Sequence, residues 1–90
     1  MIHIPQSIKG ASLLHYAIRQ SAEGYGSIQL EKGPCVISII AICNYAQDDS
    51  FYVFLCDSSF NLLSEMPFSS LEDAIEFANE KYLVKKWNSR

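Results

Sequence analysis

The chain has 90 residues, 49% of them hydrophobic and 19% charged, and a formal net charge of −3. These values describe one domain, exclude a disordered chain, and argue against a general nucleic-acid binder, which carries a basic excess. A chain of this length buries only about 60–65% of the surface it exposes when unfolded, so association would help it.

Residues 1–9 read as an extended arm, because Pro5 biases Ile4 away from helix. Ile2, Ile4 and Ile8 can pin that arm to the body. No basic segment precedes an apolar run here, so no signal peptide is read. Residues 12–23 are ambiguous. Leu14, Ala17, Ile18 and Ser21 fit a helix, whereas Leu14, Tyr16 and Ile18 also fit an alternating strand. Good helix formers, Ser12 as a cap and Gly24 as a stop favour an N-terminal helix.

Gly24 and Gly26 then open a turn, 27–31 alternate as a short strand, and Lys32-Gly33-Pro34 signal a second turn. Residues 35–45 read as one β-branched strand, apolar on both faces. Cys35, Ile37, Ile39, Ala41 and Cys43 point one way, and Val36, Ile40 and Ile42 the other. A polar loop over 46–50 leads to a strand at 51–56, a turn at 57–61 and a last strand at 62–66. Residues 68–87 carry the best-specified element, an amphipathic helix. Ser69 and Glu72 form a capping box, and Leu71, Ala74, Ile75, Ala78 and Tyr82 make its apolar stripe. Acids crowd its start and lysines its end, as the helix dipole favours.

The expected fold is a single α+β domain over residues 1–90. It is a two-layer sandwich: an antiparallel meander of three to four strands, a C-terminal amphipathic helix and an N-terminal helix. Two apolar faces on one sheet leave the face away from the helices to be covered. A helix on each face, the arm over residues 1–8 or another subunit can do this; part of the face, with Val36, Ile40, Ile42, Tyr52 and Phe54, is expected to be an association surface, most simply of a homodimer.

Chemistry is sparse. His3 and His15 have no carboxylate or thiol at a ligand or triad spacing, and no phosphate-loop, dinucleotide, zinc-protease or nucleophile-elbow motif is present. The three cysteines, Cys35, Cys43 and Cys56, sit in apolar segments without a C-x-x-C pair, as expected of reduced, buried thiols in a cytoplasmic protein. No enzyme, metal or cofactor is expected, and no run is long enough to span a membrane. A small-molecule pocket around Tyr52, Cys56 and His15 is one alternative.

Two charged patches remain. Glu72, Glu76 and Glu80 stand four apart with Asp73 beside them and no base four residues on, which suits a solvated face or a docking stripe for a basic protein. Asp48 and Asp49 would extend that stripe if their loop lay nearby. Lys81, Lys85, Lys86 and Arg90, interleaved with Tyr82 and Trp87, suit a dipole-complementing helix end or a nucleic-acid contact. The reading favoured is a non-catalytic protein-interaction module, of an inhibitor or immunity type, that binds a basic partner and self-associates. A nucleic-acid-associated regulator is the runner-up.

Overall fold

The computed structural model describes residues 3–90, so Ile2 lies outside the described residues. Its strands are β1 (Ser7–Ile8), β2 (Ala11–Ile18), β3 (Ser27–Leu30), β4 (Gly33–Val36), β5 (Ile39–Asn44), β6 (Phe51–Cys56), β7 (Leu62–Phe68) and β8 (Asn88–Ser89), with one helix, α1 (Leu71–Tyr82), before β8. The α+β class stands, with an antiparallel sheet and a C-terminal helix. The sheet is larger than expected: six strands in the order β1-β2-β5-β6-β7, with β8 also on β2. Strands β3 and β4 form a separate two-stranded sheet. The chain is therefore not a simple meander.

The expected N-terminal helix is a strand. Residues 11–18 lie antiparallel to β5, from Ser12↔Asn44 to Ile18↔Ile39. Strand β5 is apolar on both faces and needs a ladder on each edge, and that tertiary demand overrides the local helix preference. A bulge at Leu14 hides the alternation in the sequence: Leu13 pairs with Cys43 and His15 with Ile42, leaving one residue over. It lets Leu13 and Tyr16 share a face although three positions separate them.

The expected single strand over 35–45 breaks at Ile37 and Ser38. The Ile37 amide donates to the Gly26 carbonyl, while the Ser38 amide donates to Cys56 and its carbonyl accepts from Arg19. The chain thus leaves one ladder and enters another within two residues. Ile37 consequently joins the helix-side core rather than the face of Ile39.

Helix α1 lies across one face. Ala74 and Ala78 are fully buried and, being small, let it approach Ile40, Ile42, Val53 and Leu55 closely. Leu71, Ile75 and Tyr82 flank them, as the stripe implies. Its cap is Ser70 rather than Ser69: the Ser70 hydroxyl accepts from the Asp73 amide at 3.1 Å. The helix also ends earlier than expected. Leu83 takes a left-handed conformation, φ 57°, and turns the chain so that Val84 is buried. Lys85 and Lys86 lie beyond the helix. Trp87 folds back, donating from its indole to Asn79 at 2.8 Å, and β8 then closes on β2.

The second face is closed by the chain itself. Ile39, Ala41, Cys43, Phe54 and Cys56 have no exposed surface. Ile4, Ile8 and Ala11 of the arm and first hairpin cover them from one side, with Tyr16, Tyr45, Tyr52, Phe60 and Leu62 around the rest. The aromatic rings meet edge to face, Tyr45–Tyr52 at 5.2 Å and Tyr16–Phe60 at 6.4 Å.

Gly24, before the β3–β4 hairpin, is packed tightly against the chain that leaves it. Its φ is +53°, and a Cβ there would collide with the Ile37 carbonyl oxygen and with Val36 Cγ1. Gly24→Ala should lower the unfolding free energy by about 2 kcal/mol or more, measured by urea denaturation. A neutral result would mean that the junction is loose.

Candidate functional site

The β3–β4 hairpin is joined through Glu31 and Lys32 and projects from the body. Its register is Leu30↔Gly33, Gln29↔Pro34, Ile28↔Cys35 and Ser27↔Val36. A two-residue connection makes Leu30 and Gly33 a hydrogen-bonded pair, and the antiparallel ladder then alternates. The bond from Ile37 to Gly26 at the base keeps that phase. Gln29 and Pro34 are therefore a non-hydrogen-bonded pair, with their backbone polar groups turned outwards. Proline has no N–H to offer, so the outer edge of β4 is blunted. The outer edge of β3, with the peptide groups of Ser27 and Gln29, stays open to another strand.

Ile28 anchors one end of this hairpin in the helix-side core. Leu30 at the hairpin's tip and Val36 at its base are exposed, at 37% and 36%. Among the described residues the third large exposed apolar side chain is Leu83, at 65%, whose carbonyl is tied to the hairpin's entry. Arg19 makes that connection. Its guanidinium donates to the Gly24 carbonyl at 3.5 Å and to the Leu83 carbonyl at 3.3 Å, and lies 4.4 Å from the Tyr25 ring centroid. One cation thus ties β2, the hairpin's entry and the helix C-terminus, whose carbonyls favour positive charge. Burial pushes the Tyr25 phenol up, and Arg19 opposes this in part.

The acidic residues are divided between the two sides of the sheet. Glu72, Asp73, Glu76 and Glu80 are exposed on the outer side of α1. Asp48 is not with them: its carboxylate accepts from the Tyr52 hydroxyl at 2.7 Å and the Ser50 amide at 2.8 Å, on the second face. The Tyr52 bond, above all, holds the Asp48 carboxyl below the usual range. Asp49 is exposed in the same loop. A joint stripe of all six acids is not formed.

The expected association face is not formed either. Ile40 and Ile42 are buried under the helix, Phe54 is buried on the opposite side, Tyr52 packs against Tyr45, and Val36 belongs to the hairpin. Alternation explains the scatter, since Ala41 pairs with Phe54 while Ile42 pairs with Val53. The basic tail is partly committed to structure. Trp87 is packed in the helix-side core, and Arg90 Nε donates to the Pro5 carbonyl at 2.9 Å; Lys81, Lys85 and Lys86 are exposed. Tyr52, Cys56 and His15 do not converge. His15 lies on the helix side, with its Nδ1 3.3 Å from the Ser89 hydroxyl, whereas Cys56 is buried on the other side.

Among the described residues no group of three His, Cys, Asp or Glu side chains is placed to hold a metal, and no helix is long and apolar enough to cross a membrane. Comparison with known proteins returns no family model, curated protein or solved structure that matches the chain. The two strands and the turn of this hairpin are legible at 27–31, 32–34 and 35–45, but the end of its second strand at Val36 is not. The one signal for that break is Ser38, a polar residue within the apolar run.

The thiols give a direct check. Burial pushes Cys43 and Cys56 from near 9 up to about 12, with Cys56 adding to the first and Asp57 to the second. In the native protein a thiol reagent should modify Cys35 readily, and Cys43 and Cys56 only on unfolding. The folded state keeps protons that the unfolded thiols lose. Stability from this source is whole below pH 9 and declines as pH rises towards 12. Native modification of two or three thiols would contradict the packing of the second face.

Proposed function

We propose that this chain is a non-catalytic protein-interaction module whose contact element is the β3–β4 hairpin. The observation that carries the reading is the concentration of exposed apolar side chains. Leu30 lies at the tip of β3 and Val36 at the base of β4, on opposite faces of the ribbon, and Leu83 is tied to the hairpin's entry through Arg19. A two-stranded ribbon with little packing of its own is marginal in water, and a partner strand would supply both the missing ladder and the missing contacts. The partner is a protein that adds an extended segment to β3 and seats apolar side chains on Leu30 and Leu83. The exposed acids of α1 run along the helix that ends at Leu83, so a basic flank on that segment would be drawn in, faster at low salt.

Gln29→Pro tests the reading with little disturbance. It removes an outward N–H and leaves the internal ladder of the hairpin intact. The Gln29→Pro and Leu30→Glu chains should keep the native amide spectrum of the body. Used as baits in an extract of the source cells, both should lose a protein that the wild-type chain retains. In the complex, the amides of Ser27 and Gln29 should gain protection from hydrogen exchange. Equal capture by all three baits, or protection elsewhere only, would refute the hairpin as the contact element.

A further inference from the structure

A cleft of about 570 Å³ lies between the N-terminal arm and the loop joining β6 to β7. That is within the range of small-molecule sites, about 300–1,000 Å³. Its polar lining comes from His3, Ser7 and Lys9 on one side and Ser58, Ser59 and Asn61 on the other. Lys9 and His3 are its ionisable side chains, and no carboxylate is among the described lining residues, in a chain whose net charge is −3.

The neighbouring acid, Asp57, is turned into its own loop. Its carboxylate accepts from the Ser59 amide at 2.9 Å, the Asn61 amide at 3.0 Å and the Asn61 side chain at 3.0 Å. Burial raises its carboxyl, but these bonds together outweigh that effect and hold it below the usual range. They use backbone N–H groups and the Asn61 amide, and not the hydroxyls of Ser58 or Ser59. On the arm side, Arg90 donates to the carbonyl of Pro5, itself part of the lining, and brings a further positive charge to the arm.

Backbone conformation marks the same place. Among the described residues three non-glycine positions have positive φ, namely Lys9 (51°), Phe60 (63°) and Leu83 (57°), and the first two line this cleft. Lys9 and Gly10 form the two-residue turn between Ile8 and Ala11, both with positive φ. Such a turn favours Asn-Gly, and a lysine at its first position is a poor local choice. Left-handed residues that the local rules disfavour collect at ligand sites. Here the unfavoured residue supplies the cleft's cation.

We propose that this cleft binds a small molecule through an oxyanion group, a phosphate or a carboxylate. Lys9 supplies the charge, and the hydroxyls of Ser58 and Ser59 donate hydrogen bonds. Phe60 offers an apolar surface to the rest of the ligand. The inference is independent of the hairpin's role, since neither element shares a residue with the other.

The test is a titration of the full chain with inorganic phosphate and, separately, with sodium acetate at constant ionic strength, followed by backbone amide resonances. We expect saturable shifts at Lys9 and residues 58–61. Saturation by phosphate assigns a phosphoryl group, and saturation by acetate a carboxylate. Lys9→Asn should bind at least tenfold more weakly while its urea midpoint rises, because asparagine suits the turn. The Ser58→Ala, Ser59→Ala double variant should also weaken binding with the Asp57 loop bonds retained. Shifts that fail to saturate with either anion, or that saturate equally in Lys9→Asn and the double serine variant, would overturn the proposal.

Discussion

The burial of β5 on both faces is the constraint on which the rest of the fold depends. Residues 39–43 have no exposed surface at all. A strand with no wet face needs a hydrogen-bonded neighbour on each edge and a covering layer on each side. Strands β2 and β6 supply the edges, and α1 supplies one layer. The remaining layer has to come from short pieces, because the described residues form no second helix. The arm, the first hairpin and a ring of aromatic side chains do this work. Small residues assist: Ala11, Ala41, Cys43 and Cys56 keep that face shallow enough for such a thin cover.

This arrangement determines where the molecule has surface to spare. Residues 4–8 and the segment after α1 are used as cover. The arm lies on the second face, and the C-terminal tail is held by Trp87, β8 and Arg90 along β2. The far edge strand, β7, carries Pro67 and an exposed Glu65, both of which discourage further pairing. The hairpin is different. It is an excursion between β2 and β5, fixed at its base by Gly24, Arg19 and Ile37 and free along β3. The cleft arises from the same economy, because a thin cover made of an arm and a loop leaves a gap where the two approach.

Local signals were legible in the sequence and non-local ones were not. The amphipathic stripe of α1 survives residue for residue, because Leu71, Ala74, Ile75, Ala78 and Tyr82 encode it by spacing alone. Its cap slipped by one position, from Ser69 to Ser70, since adjacent serines offer the same chemistry. Its end was hidden because Leu83 carries no glycine or proline signal, although its backbone turns left-handed. Strand β2 could not be read with certainty. The bulge at Leu14 breaks the two-residue period, and the reason for a strand lies in β5, some 25 residues on. Likewise, only Ser38 interrupts the apolar run of 35–45, while the hydrogen-bond partners change at Ile37. Among candidate contact residues, the exposure of Glu72, Glu76 and Glu80 followed from helix geometry. The separation of Asp48 depended on Tyr52, a loop contact that no periodicity encodes.

In this fold one chain covers both faces of its own sheet. Urea unfolding across a hundredfold range of protein concentration tests it most directly. A midpoint that does not move with concentration is the expected result, because no second copy contributes to the native core. A midpoint that climbs with concentration, as mass action requires of a folded dimer, would show that the second face is completed by another molecule and would contradict the account.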